Sequence, residues 1–183
     1  MTKRVCRFRV LPRAGAVLLA AATLQACSPP LDWREVQPEG SGVVMMFPCR
    51  PDRHDRMVRV AEQTLPMRLH SCRAAGSTFA LAVADVADPV RVTPMLAALR
   101  TQAIANVGGV AVPWPLPRIA GTTPNGESAM LRIDGRLPDG RRVVEQAAFF
   151  VKGLRLYQAT VSGEAEPPGH EWAENFFAAI RVP

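Results

Sequence analysis

Asp52-Arg53-His54-Asp55 sets an imidazole among carboxylates, a grouping that can act as a charge relay or hold a metal. Nothing apolar interrupts the run, and we read it as a solvated loop. The other two histidines stand apart from it. His70 falls beside Arg68 on an expected strand, on the strand's exposed face, and His170 precedes Glu171 at an expected helix start. Three scattered histidines without Glu or Cys at ligand spacing make a poor zinc site. Glu164 and Glu166 imitate a carboxylate pair but stand in a Pro/Gly loop, where both read as solvated. Met45, Met46, Met57 and Met67 are a possible Cu(I) cluster, since thioethers suit that ion. At strand spacing such methionines are more often core filling, and we read them so. Gly40-Ser41-Gly42 is a turn; neither the Gly-x-Ser-x-Gly elbow of hydrolases nor a Gly-rich phosphate loop occurs. No metal or cofactor is expected, and the expected class is non-enzymatic.

The amino terminus is more informative. Residues 1–13 carry Lys3, Arg4, Arg7, Arg9 and Arg13 and no acid, and residues 14–24 are apolar apart from Gly15 and Thr23. A basic start followed by a short apolar run is the pattern of an export signal. The run falls short of the roughly 20 residues that a membrane-spanning helix needs. It ends in Leu24-Gln25-Ala26-Cys27, which resembles the lipobox of Gram-negative lipoprotein signals, with Gln25 a less usual residue at its place. The resemblance implies removal of residues 1–26, a lipid on Cys27, and a tether over residues 27–31 that includes the stiff Ser28-Pro29-Pro30. Each buried methylene adds about 0.8 kcal/mol, so several acyl chains anchor stably where one does not. Ser28 rather than Asp after the cysteine implies the outer membrane, with the protein facing the periplasm.

Charge supports this division. The chain carries a net charge of +6, but five of its 22 basic residues and none of its 16 acidic ones precede Cys27, which leaves 17 against 16. No basic excess remains for a nucleic acid to bind, so that class of partner is set aside. The basic residues after Cys27 are Arg except Lys152, a bias that reads as overall composition. Two cysteines remain beyond Cys27. Cys49 and Cys72 in an oxidising compartment read as a structural disulfide, the alternative being a redox or metal pair for which no Cys-x-x-Cys spacing exists.

These residues need elements to hold them. Residues 32–183 are long enough for one domain with its own core. First strands are expected around Trp33, Val36 and Val43–Phe47, ended by Pro48, with a loop over Cys49–Asp52. Two strands at 56–62 and 65–73 should flank Gln63-Thr64, with a hairpin turn at Ala75-Gly76. In the next strand, 78–86, Phe79, Leu81 and Val83 alternate with alanines, which predicts cover on both faces. Thr93 and Pro94 should start a helix that carries Leu96, Leu99 and Ala103 and stops at Gly108-Gly109. Pro113-Trp114-Pro115-Leu116-Pro117 can only be extended chain or a sheet edge. Strands at 127–137, 141–151 and 154–162 follow, joined by the tight turns Pro138-Asp139-Gly140 and Lys152-Gly153, and are therefore antiparallel. A final helix over 170–180 presents Trp172, Phe176, Ala179 and Ile180. Runs of strands followed by helices give an α+β fold, with a largely antiparallel sheet packed by two main helices.

Several stretches also resemble a known group. Trp33-Arg34-Glu35-Val36, the strand ending in Phe47-Pro48 before Pro51, the LPDGRR and LYQATVSG hairpin segments and the closing Glu174-Asn175-Phe176-Phe177 are similar to small bacterial lipoproteins of the PsbP-like/DcrB-like group. The resemblance implies an α/β/α sandwich over residues 32–183 and an accessory or scaffolding role, and supplies no catalytic residue. On this reading the protein acts by binding an envelope protein or component. The alternative is a small-ligand-binding domain with a pocket between sheet and helix, and after that an enzyme of unfamiliar type. Trp114 between its prolines is either an interface anchor or a lid on the core. The expected interaction surface comprises Pro113, Trp114 and Pro115 together with Arg50 and Arg53 of the loop around residues 50–56.

Overall fold

A computed structural model describes residues 31–164 and 170–183. Cys27, with the signal and tether, lies outside the described residues, as does Glu166. Nine strands and two helices follow one another: β1 Arg34–Val36, β2 Met45–Phe47, β3 Asp52–Val60, β4 Gln63–Ala74, β5 Ser77–Asp85, α1 Val92–Asn106, β6 Val110–Trp114, β7 Ala129–Arg136, β8 Arg142–Lys152, β9 Arg155–Gly163 and α2 His170–Ala178. Strands β3 to β9 form one antiparallel sheet in the order β3-β4-β5-β9-β8-β7-β6, and β1 pairs with β2 in a separate ribbon. The fold is thus α+β with a large antiparallel sheet, as the tight turns require.

The central strands explain the layering. In β5, Phe79, Leu81 and Val83 face one side of the sheet and Ala82 and Ala84 the other, and all are buried. The same division holds in β8, where Ala148 and Phe150 face one side and Ala147, Phe149 and Val151 the other. Strands apolar on both faces need cover on both. On one face α1 supplies Met95, Leu96, Leu99 and Ala103. On the other, α2 and the β1–β2 ribbon bring Phe176, Phe177, Met45 and Phe47. Phe176 lies edge-on between Phe47 and Phe79, with ring centroids 5.2 and 5.5 Å away.

Several boundaries depart from the sequence reading. The β3–β4 turn falls at Ala61-Glu62, with Ala61 at φ 51°, and not at Gln63-Thr64, both of which join the ladder. Asp52 to Asp55 are accordingly strand, not loop: β3 lies at the sheet edge with its side chains from Asp52 to Met57 in water, so this part shows no apolar alternation. The approach to α1 is capped by Asp88, whose carboxylate accepts from the Val90 N–H at 3.0 Å, so Thr93 and Pro94 lie inside the first turn. The apolar stripe of α2 is Ala173, Phe176 and Phe177, continued by Ile180 beyond its end, while Trp172 is only half buried.

Cys49 and Cys72 are joined, with Cα atoms 6.0 Å apart. The bond fastens the end of the β1–β2 ribbon to β4, on the same face as α2. It closes a loop with a sequence separation of 23. Replacing both cysteines by Ser should cost about 3 kcal/mol, read as a lower midpoint in urea unfolding. A smaller loss than about 1 kcal/mol would mean that the β1–β2 ribbon is held by its apolar contacts alone.

Candidate functional site

The proline-rich stretch after α1 builds a groove. Val110–Trp114 forms β6, the outer strand of the sheet beside β7. Pro113 is tolerated because an edge strand leaves alternate N–H groups unpaired. Trp114 faces the α2 side, where it is half buried against the core. Beyond it Pro115, Leu116 and Pro117 run past α2. Together with Met130 and Gln146 of the sheet and Glu174, Phe177 and Ala178 of α2 they enclose a groove of about 340 Å³. Its walls are apolar, with Glu174 and the buried Gln146 among the few polar groups. Both sequence readings of Trp114 therefore meet in one position: it packs on the core and lines an open groove.

The second part of the expected surface lies elsewhere. Arg50 is exposed just before β3, at the opposite edge of the sheet from β6. Arg53 is held by Asp55 at 2.6 Å and by Glu39 at 3.0 Å. Arg50 and Arg53 thus do not share a surface with Pro113, Trp114 and Pro115.

A second concavity lies on the other face, between α1 and the sheet. This cleft of about 220 Å³ has a floor of Ala80, Ala82 and Leu69 and a polar rim that includes Gln102, Asn106, Gln158 and Thr160. Small residues on the floor leave the space; the amides and hydroxyl supply uncharged hydrogen-bonding groups, and Arg56 adds one cation at the margin.

The chemistry-bearing residues are dispersed. Met45 and Met67 lie in cores on opposite sides of the sheet, and Met57 is exposed, so the four methionines do not meet. No cluster of His, Cys, Asp or Glu with metal-binding spacing occurs among the described residues. Ser41 is buried as a structural residue: its hydroxyl accepts from the Val43 N–H, and its carbonyl accepts from the Tyr157 hydroxyl at 2.9 Å and Arg155 at 3.1 Å. Glu164 pairs with Arg141. His170 opens α2.

His70 corrects the sequence reading, for it is buried rather than exposed, at 3% accessibility. The turn that carries Glu39 folds over it and bonds its ring through the Glu39 backbone. Its Nε2 has no partner among the described residues. Burial holds this imidazole below its usual range. Glu145 was not singled out in the sequence, although Val143-x-Glu145-x-Ala147 places it in an inward row. It stands between Ile133 and Ser162 in the cross-strand register, and desolvation raises its carboxyl to about 7. No protein-family model matches the chain, and no curated protein matches it. No helix among the described residues is long and apolar enough to cross a membrane.

The two buried titrating groups act on stability with opposite sign. Glu145 binds its proton more tightly folded than unfolded, so its contribution declines as pH rises from 4.5 to about 7. The depressed His70 binds its proton less tightly when folded, so stability is lost as pH falls through its usual value of 6.5. Glu145→Gln should raise stability at pH 8 by about 3 kcal/mol and change it little below pH 4.5. In that variant stability should still rise with pH near 6.5, through His70. Urea unfolding across this range checks both; equal effects at both ends would place Glu145 in water.

Proposed function

We propose that this chain is a bacterial envelope lipoprotein, anchored by lipid on Cys27 after removal of residues 1–26. Its domain of residues 32–183 works without catalysis, by binding an envelope protein or component. The outer membrane, facing the periplasm, is the proposed location. The observation that carries the binding role is the groove between Trp114–Pro117 and α2, with a rigid aromatic wall and an apolar floor. An aromatic held half-buried before binding loses little freedom on binding, which is what makes such residues effective anchors. The lipid anchor rests on the Leu24-Gln25-Ala26-Cys27 stretch and its basic, apolar lead. The PsbP-like reading rests on the sequence stretches that carry it. A helix on each face of an antiparallel sheet suits that reading and is common to other groups.

A second reading has its own support. The α1 cleft, with a small apolar floor, four uncharged polar groups at its rim and Arg56 at its margin, suits a small polar ligand. An enzyme of unfamiliar type comes third, with no group of residues to carry it.

Affinity capture of the full-length tagged protein from crosslinked envelopes separates these readings. Wild type should retain one reproducible partner and fractionate with membranes. Trp114→Ala should lose that partner at least fivefold while keeping its membrane location. Cys27→Ser should leave the membrane fraction. A partner retained undiminished by Trp114→Ala would move the binding site away from the groove, and a Cys27→Ser protein still on the membrane would overturn the lipid anchor.

A further inference from the structure

The two edges of the sheet are defended differently. At one edge β6 carries Pro113 and is followed by Pro115 and Pro117, which blunt further pairing. The other edge, β3, is nine residues long, has no internal proline, and exposes every side chain from Asp52 to Met57. Charge is the usual guard on such an edge. Here the charges are ordered. Asp52-Arg53-His54-Asp55-Arg56 reverses its signs when read backwards about His54.

We propose that β3 is a self-recognition edge, which pairs antiparallel with β3 of a second copy across a two-fold axis at His54. In that register Asp52 faces Arg56 of the second copy and Arg53 faces its Asp55. Symmetry repeats both pairs, so four opposite-charge pairs form. The faces agree as well. Asp52, His54 and Arg56 share the α1 side of the strand and Arg53 and Asp55 the other, and residues opposite one another in an antiparallel pair share a face.

The backbone is disposed for the same register. The two-residue turn at Ala61-Glu62 closes on the Val60–Gln63 pair, which directs the amides and carbonyls of the even-numbered β3 residues toward β4. Those of Arg53, Asp55 and Met57 point outward. Arg53 and Asp55 of the second copy then exchange both backbone bonds, and the two His54 residues form the close, non-hydrogen-bonded pair at the axis.

Neighbouring registers are less favourable. Centring on Arg53, Asp55 or Arg56 sets that charge against itself, and centring on Met57 leaves only Asp55 against Arg59 and its symmetry mate. The partners are also available. Asp52 and Arg56 make no ion pair among the described residues. Arg53 and Asp55, paired within the chain at 2.6 Å, would join their copies in an alternating ring, with Glu39 at 3.0 Å a further carboxylate on each Arg53. This surface lies at the far edge from Trp114 and stands independently of the function proposed above.

Cysteine crosslinking in the full-length protein tests it. Under mild oxidation His54→Cys should give a disulfide-linked species of twice the mass, well above Met57→Cys and above Leu154→Cys as an exposed control. In the His54→Cys background, Asp52→Arg or Arg56→Asp should cut the linked fraction at least fivefold, and the two together should restore it to within twofold. High salt should lower it, since exposed pairs are screened. Far-UV circular dichroism on each variant establishes that these exposed changes leave the fold intact. Linkage at position 54 no greater than at 154, or indifferent to the single reversals, would overturn the proposal. A stronger link at 57 than at 54, or no restoration by the folded double variant, would overturn the His54-centred register.

Discussion

Two central strands, β5 and β8, are apolar on both faces, and the rest of the molecule answers to that constraint. A strand wet on one side can stay half exposed, but Phe79, Leu81, Val83, Phe149, Phe150 and Val151 leave no face for water. Two covering layers are therefore needed, and the chain supplies them by different means. One is a single helix, α1. The other is assembled from pieces distant in sequence: the β1–β2 ribbon, α2 and the segment after β6. Such a composite layer needs fastening. The Cys49–Cys72 bond does this at one end of the ribbon, and the turn through Ser41 does it at the other, through Tyr157 and Arg155. The chain end closes the assembly where Arg181 bridges Val44 and the Val182 amide bonds the Ala120 carbonyl at 2.9 Å. Gly121 permits that approach, since a Cβ there would meet the Val182 carbonyl at 1.6 Å.

What could be read from the sequence follows the same division. The alternation of large residues with alanine in β5 announced its two-sided burial, and the Pro138-Asp139-Gly140 and Lys152-Gly153 turns announced antiparallel pairing, because both signals are local. The pairing of Cys49 with Cys72 followed from there being no other cysteine beyond Cys27. His70 was misread because its own strand gives no sign of what covers it; the cover is the Glu39 turn, some thirty residues earlier. The start of β3 was misread for the opposite reason. A strand with water on both faces needs no apolar row, so Asp52 to Asp55 carry the composition of a loop while pairing with β4. Trp114 was legible as a special position, but the groove beside it needs α2 from the far end of the chain.

Both concavities trace to the limited reach of the covering helices. Seven strands at about 4.8 Å spacing span roughly 29 Å. At 1.5 Å per residue, α1 with its 15 residues is about 22 Å long, and α2 with nine is about 13 Å. Neither covers a face. On the α1 side the shortfall leaves the Ala80–Ala82 cleft, and Glu145 stands in the same partly covered layer, too enclosed to be well hydrated and without a cation to pair with among the described residues. On the α2 side the shorter helix is supplemented by Pro115, Leu116 and Pro117. Prolines fix the chain direction without needing a hydrogen-bond partner for their nitrogen, so this segment can lie across the sheet margin with no strand beside it. It meets α2 along one side only, and the gap between them is the groove that Trp114 lines. The shortness of the helix and the rigidity of the proline segment thus set the shape of the proposed binding surface together.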